Sequence, residues 1–191
     1  MKTKNKTVNA FNKGPIVKTT YDNGAVFLFH EFPGISRVCF STTFVVGSIQ
    51  EKQNEYGLAH LLEHLIFKSA RNHKVHGNLI EKLEHFGAEI NAYTSKDHTS
   101  FELLCSYRSF SQILPLFLDL FTEFDLCEED FNREKKIVVH ELKEDENDPD
   151  VFAEEKLIEM NFKNEFSHPI GGNSKLIKSF TLTQAKSFYK K

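Results

Sequence analysis

Residues 58–66 are the feature of this sequence that most limits how the chain can fold. Apolar side chains recur through this segment so closely that they cover most of a helix surface: Leu58, Ala59, Leu61, Leu62, Leu65 and Ile66. A helix that is apolar nearly all round must be buried inside the protein. His60, Glu63 and His64 lie on the same helix, and buried polar side chains need hydrogen-bond or metal partners.

The spacing of these three polar residues suits a metal site. On a helix, positions i and i+4 lie about one turn apart on one face, so His60 and His64 can direct their imidazoles at one ion. Glu63 lies beside the pair and is placed to act as a general base on water. The alternative is that the histidines are solvated or paired with carboxylates. It stays open at this point, because so short a pattern also arises by chance.

The helix predicted over 127–146 offers the carboxylate that a zinc peptidase needs as its third ligand. Glu134, Ile137, Val138 and Glu141 follow each other at i, i+3, i+4 and i+7, so two carboxylates are embedded in an apolar stripe. A cation or hydrogen-bond donors would satisfy them. A solvated charged face is the alternative, because lysines and glutamates also occur on this helix.

Periodicity along the chain predicts an α+β fold with a largely antiparallel sheet and helices packed on one face. The predicted strands are 16–20, 25–31, 38–46, 88–93 and 99–106, and the predicted helices are 60–67, 75–86, 109–124, 127–146, 151–160 and 181–190. The near-continuous apolarity of 38–46 predicts a buried central strand. The short strand 88–93 is expected at a sheet edge, where it could pair with an extended peptide.

Composition narrows the class of protein. The chain has 191 residues, of which 40% are hydrophobic and 27% charged, which is typical of a globular protein rather than a disordered one. A net charge of −3 argues against a nucleic-acid-binding domain. The three widely spaced cysteines predict no disulfide framework. No signal peptide or membrane-spanning run is recognised, so a cytoplasmic location without a membrane partner is expected.

Other histidines are expected to play no part in a metal site. His73, His76 and His85 cluster near the second predicted helix, and no carboxylate accompanies them at ligand spacing in the sequence. They are therefore predicted to be surface residues. The lysine-rich residues 1–16 are predicted to form a mobile tail before a single domain over 17–191.

Several stretches together resemble the pitrilysin/insulinase family of zinc peptidases, which includes the mitochondrial processing peptidases. The order His-x-x-Glu-His is the inverted zincin order. The matching stretches are Tyr21-Asp22-Asn23-Gly24, Gly47-Ser48, Glu51, the run from Gly57 to Lys68, Asn91-Ala92-Tyr93-Thr94, and His168-Pro169-Ile170-Gly171. Glu141 follows His64 after 76 intervening residues, the distance at which this family places its third zinc ligand.

This resemblance implies a role for each residue of the motif. His60, His64 and Glu141 would bind Zn²⁺, and Glu63 would be the general base that activates water. Glu134 would orient one of the ligand histidines from outside the metal site.

The resemblance also implies a substrate and a partner. Asn91 and Ala92 would lie on the strand along which an extended or unfolded peptide pairs its backbone, and the chain would hydrolyse that peptide as a zinc endopeptidase. The family fold has two related domains that close around the substrate, so 17–191 are expected to hold one of them without its last strands and without the second half. A homologous second half or a dimer partner would then complete the enzyme. The alternative is a truncated or non-catalytic relative that binds zinc or peptide as a partner subunit.

Overall fold

The computed structural model describes residues 4–9 and 15–190, and of 4–9 only the backbone. The chain divides into two compact units, Met1–Ser36 and Arg37–Lys191. The predicted tail over 1–16 contains a strand at Lys4–Asn9, while 1–3 and 10–14 lie outside the described residues. The single domain expected over 17–191 stays a prediction.

The first unit is a three-stranded antiparallel sheet in the order β1-β2-β3. The strands are β1 (Lys4–Asn9), β2 (Pro15–Thr20) and β3 (Val26–His30). The hairpin predicted between β2 and β3 is confirmed. Its turn is closed by a bond from the Tyr21 N–H to the Ala25 carbonyl oxygen, and Gly24 has a φ of 85°, which favours glycine.

The second unit contains another antiparallel sheet, in the order β4-β6-β5. Its strands are β4 (Arg37–Phe44), β5 (Glu89–Thr94) and β6 (Thr99–Ser106). The prediction of a buried central strand at 38–46 is wrong for the part of the chain described, since β4 pairs only with β6 and many of its side chains are exposed. Its apolar run contains Ser41, Thr42 and Thr43, and such a run does not by itself require burial of both faces. The strand β5 lies at the opposite edge, as predicted.

The second unit also holds seven α-helices among its described residues. They are α1 (Leu58–Arg71), α2 (Leu79–His85), α3 (Phe110–Asp119), α4 (Glu128–Asn147), α5 (Pro149–Asn161), α6 (Ser174–Ser179) and α7 (Leu182–Tyr189). The helix predicted from residue 75 begins four residues later, because 73–77 form a tight turn and the Asn78 side chain caps the Glu81 N–H. Within the described chain, none of these helices has the length and apolarity needed to cross a membrane.

Helix α1 belongs to two groups of buried residues, which together make up the core. Leu61 and Leu65 pack with residues of α4, α6 and α7. Ile66 and Ala70 pack with α2, α3 and the face of β6 that carries Phe101. The mixed α+β class with helices on one face of an antiparallel sheet is confirmed. Because α1 is enclosed on both sides, its polar residues are held where solvent has limited access.

Candidate zinc centre

The start of α1 is fixed by a buried carboxylate from outside the helix. Glu51 is only 3% exposed, and its two oxygens accept bonds from the Gly57 N–H at 2.9 Å and the Ala59 N–H at 2.7 Å. These N–H groups belong to the first helical turn, which has no intrahelical acceptors for them. Burial raises the pKa of Glu51 to about 7, against the lowering effect of these backbone bonds.

The structure brings the three predicted metal ligands together. His60 and His64 lie on α1, Glu141 lies on α4, and one possible ligand atom from each falls within 4.8 Å of the others. The Nε2 atom of His64 is 3.3 Å from Oε2 of Glu141, and the two imidazole rings are perpendicular with centroids 4.9 Å apart. Two histidines and a carboxylate are a donor set that catalytic zinc sites of other proteins use.

The state of His60 fits a metal ligand. Its Nδ1 atom is buried and has no hydrogen-bond partner among the described residues. Burial, and secondarily the charge of nearby His64, lowers the pKa of His60 to about 4. His60 is therefore neutral at pH 7, and a neutral imidazole is the form that binds a metal ion.

Glu63 lies between α1 and the end of β5. Its Oε2 atom accepts a hydrogen bond of 2.6 Å from the hydroxyl of Thr94. Burial raises the pKa of Glu63, while the Thr94 bond and His64 lower it and Glu141 raises it. A carboxylate with a raised pKa is better matched to proton transfer near neutral pH.

Glu134 is a predicted site residue whose side chain is not bonded to His60 or His64 in the structure. It is buried on α4, seven positions before Glu141, and its side chain forms no hydrogen bond or ion pair with the described part of the chain. Its predicted action on a ligand histidine therefore stays a prediction.

The backbone of β5 is open to a further strand on the side away from β6. The bond from the Ser95 N–H to the His98 carbonyl makes those residues a hydrogen-bonded pair. Alternation along the antiparallel ladder then directs the backbone groups of Ala92 and Thr94 away from β6. The Asn91 side chain agrees with this, since its Oδ1 accepts a bond of 3.0 Å from the Ala92 N–H.

A cavity of about 410 Å³ adjoins the predicted site. Its lining comes from His60 and Glu63 of α1, the end of β5, the C-terminal part of α4, helix α5 and residues 167–171. Ala92 lines this cavity, and the exposed Asn91 is not among its lining residues. Lys96, Asp145, Glu154 and Glu155 make the cavity wall strongly charged.

The loop 168–172 is a part of the site to which the sequence assigned no function. The ring of His168 stacks on Tyr56 with centroids 3.6 Å apart, and its Nε2 lies 3.0 Å from the Ser48 carbonyl oxygen. Lys96 donates a hydrogen bond to the carbonyl oxygen of His168. The stretch His168–Gly171 resembles a family motif, but its partners are 72 to 120 residues away, and no local pattern indicates them.

A second histidine pair lies just beyond the C-terminal end of α1. His73 is buried, so the prediction that it is a surface residue is wrong, because the turn 73–77 folds back over it. Its Nδ1 accepts bonds from the N–H groups of Val75 and His76, and the Nε2 of His76 lies 2.9 Å from Asp119. Carboxylates do accompany this pair, from α3 and the segment that follows it.

The chain belongs to the insulinase family of peptidases (peptidase family M16), whose family profile matches residues 33–173. An uncharacterized zinc protease of Rickettsia bellii is 28% identical over 159 residues, which are 83% of this chain and 38% of the relative. The mitochondrial-processing peptidase subunit beta of Saccharomyces cerevisiae is 28% identical over 170 residues, covering 88% of this chain and 37% of that protein. The resemblance inferred from the sequence is confirmed.

A solved structure shows that the fold also occurs without activity. The peptidase M16 inactive domain from Pseudomonas fluorescens matches with a TM-score of 0.80 and 21% identity, over 91% of this chain and 42% of that one. The present chain spans about two fifths of the length of the curated relatives it matches.

Proposed function

We propose that this chain is a zinc-dependent endopeptidase domain that hydrolyses extended or unfolded peptides. His60, His64 and Glu141 would hold the Zn²⁺ ion, and Glu63 would be the general base. The observation that carries the proposal is the convergence of these three ligand atoms within 4.8 Å, directly beside Glu63 and a cavity. A neutral His60 whose Nδ1 has no hydrogen-bond partner among the described residues supports it further.

In this proposal the zinc ion, Glu63 and Glu134 have different roles in peptide hydrolysis. A zinc ion supplies a Lewis acid that lowers the pKa of water and polarises a carbonyl group. Glu63, held by Thr94 at one oxygen, keeps its other oxygen available to take a proton from water and pass it to the leaving amine. The proposed role of Glu134 is to orient a ligand histidine, by a movement that brings its buried carboxylate into contact.

The open edge of β5 supports an extended peptide as the substrate. The backbone groups of Ala92 and Thr94 face away from β6, so a peptide could add to the sheet as a further strand. The scissile bond would then lie over the cavity, next to Glu63. In this proposal Asn91 releases the Ala92 N–H when the peptide binds, and its side chain becomes free to contact the peptide.

The test is a measurement of zinc content and hydrolysis on the purified chain and its Glu63→Gln variant. We expect about one zinc per chain in both proteins, and hydrolysis of an unfolded peptide only in the wild type. A Glu144→Gln variant, changed at an exposed carboxylate of α4, is the matched control and should keep full activity. Hydrolysis that survives Glu63→Gln would reject Glu63 as the base.

The second candidate is a non-catalytic subunit that binds zinc or peptide. The observation that favours it is the match to an inactive domain of the same family. The two candidates differ in one measurement, because the non-catalytic subunit would bind zinc and peptide without hydrolysis under any condition. Glu63 favours the enzyme, since binding alone does not require a base at this position.

A homologous second half, or a second copy of the chain, is the proposed partner of the domain. Because the curated relatives are more than twice as long as the stretch matched here, the cleavage assay should also be run with such a partner present. The cytoplasmic location stays a prediction.

A further inference from the structure

We propose that Thr94 is a positioning residue, which holds the Glu63 carboxylate with its side chain and a peptide strand with its backbone. This inference rests on the proposed function and assigns a role to a residue outside the ligand and base set. Thr94 would fix the distance between the base and the peptide bond that it serves.

The side chain of Thr94 supplies the first half of this role. Its hydroxyl donates to Glu63 Oε2 over 2.6 Å, well within the range of an O–H···O hydrogen bond. Among the described residues this is the hydrogen bond that fixes the Glu63 carboxylate. A freely rotating carboxylate could approach His64, the next residue on α1. The Thr94 bond therefore selects one orientation of Glu63.

The backbone of Thr94 supplies the second half. Thr94 and Thr99 face each other in the ladder, next to the hydrogen-bonded pair of Ser95 and His98, so they form a non-hydrogen-bonded pair. The N–H and carbonyl of Thr94 consequently face the open edge of β5. A peptide that pairs with this edge can bond to the same residue whose hydroxyl holds the base.

The joining of both contacts in one residue has a consequence for catalysis. A shift of the peptide strand along β5 would move the peptide bond relative to Thr94. Because Thr94 also holds Glu63, the same shift would change the distance between the peptide bond and the base. Misplacement of reacting groups by about 1 Å can cost about 100-fold in rate. Loss of the hydroxyl should therefore reduce the chemical step and leave peptide binding to the backbone unchanged.

The test compares three variants in the zinc-loaded chain. Thr94→Val keeps the shape of the side chain and removes the hydroxyl, and Thr94→Ser keeps the hydroxyl. Thr43→Val is the matched control, since Thr43 forms a 2.7 Å hydroxyl bond with Ser100 in the same sheet. We expect Thr94→Val to lower kcat by about 10- to 100-fold with KM and zinc content unchanged. Thr94→Ser should recover most of kcat, and Thr43→Val should retain it.

A second measurement does not depend on activity. Unfolding equilibrium constants of the metal-free wild type, Thr94→Val, Glu63→Ala and the double variant give the coupling between the two residues. We expect the two changes to be non-additive by a factor of about ten, as for a hydrogen bond to a charged group.

The outcomes separate this inference from the proposed function. Additive unfolding effects, or an active wild type whose kcat is unaffected by Thr94→Val, would overturn the role of Thr94. A wild type that holds zinc and hydrolyses no peptide, alone or with a partner, would reject the proposed function. In that case the unfolding cycle still decides whether Thr94 holds Glu63.

Discussion

Helix α1 has a histidine pair near each end, and the two pairs differ in the hydrogen-bond partners of their ring nitrogens. In the N-terminal half, His60 and His64 converge with Glu141, and the Nδ1 of His60 has no partner in the described chain. Beyond the C-terminal end, the Nδ1 of His73 already accepts two backbone N–H groups, and His76 is bonded to Asp119.

A comparison of the two pairs shows that histidines close to carboxylates are not sufficient for a metal site, because a ring nitrogen must also have a free lone pair. Because Nδ1 of His73 acts as an acceptor, the proton of the neutral ring lies on Nε2, which therefore offers no lone pair to a metal ion. Its nearest carboxylate oxygen, on Glu123, is 4.0 Å away. The first pair keeps lone pairs available for an ion, whereas in the second pair the Nδ1 lone pair of His73 is used to hold the turn 73–77.

The largest expected difference between the pairs is in zinc affinity. His64→Ala should weaken zinc binding by more than about 1,000-fold, since loss even of outer partners of a ligand costs about 10- to 100-fold. His76→Ala should leave zinc affinity unchanged. Competition with a chromophoric chelator measures both. Equal losses in the two variants would contradict the distinction drawn between the pairs.

The second expected effect is on stability. Zn²⁺ at a free concentration about 1,000 times its Kd should raise the free energy of unfolding by about 4 kcal/mol, because it binds only the folded chain. Urea unfolding with and without a chelator measures this difference. The stabilisation should persist in a His73→Ala, His76→Ala double variant and vanish in His64→Ala. A stabilisation that requires His76 would place the metal beyond the C-terminal end of α1 and would contradict a site at His60 and His64.

The third effect concerns the buried carboxylate that holds the start of α1. The folded state binds a proton on Glu51 more tightly than the unfolded chain, since burial raises its pKa from 4.5 to about 7. Its contribution is fully present below pH 4.5 and is lost as the pH rises through 7, by about 3 kcal/mol at most. Unfolding measured across this range should show the slope in the wild type and not in Glu51→Gln. Glu84→Gln, on the exposed surface of α2, should keep it.

The smallest expected effects come from substitutions of two glycines, one beside each histidine pair. Gly77 has a φ of 68° with open space around it, so Gly77→Ala should cost about 1–2 kcal/mol of stability and leave zinc affinity unchanged. A Cβ on Gly171 would lie 2.5 Å from Leu142 Cδ2 and 3.6 Å from His60 Nδ1. Gly171→Ala should therefore weaken zinc binding by a few-fold, as a displaced neighbour of a ligand does. The reverse pattern would show that the loop 168–172 does not support His60.

Much of the candidate site could be predicted from the sequence because its key spacings are local. The i, i+4 spacing of His60 and His64 places them on one helix face, and the apolar residues between them predict burial. Glu141 on another helix was assigned from the resemblance and from its position in an apolar stripe. The hairpin of β2 and β3 and the edge position of β5 also follow from local patterns.

The rest depends on contacts between distant segments, which periodicity does not reveal. The apolar run of β4 predicted a central strand, but strand order is set by the pairing partner, and β6 occupies the centre of the described sheet. The strand β1 has a polar sequence without alternation and was missed. His73 was assigned to the surface because the carboxylates near it belong to residues about 45 to 50 positions later.

The bond between Asn91 and the Ala92 N–H has a consequence for selectivity and for solubility. An open strand edge invites pairing with any extended chain, including misfolded copies of the same protein. Here the N–H of Ala92, one of the outward N–H groups, is already satisfied by the neighbouring Asn91 side chain. An incoming strand exchanges this bond for another of similar strength and gains little from it. Under the proposed function, a peptide would be retained by further contacts in the adjoining cavity, while Asn91 weakens indiscriminate pairing at the Ala92 position.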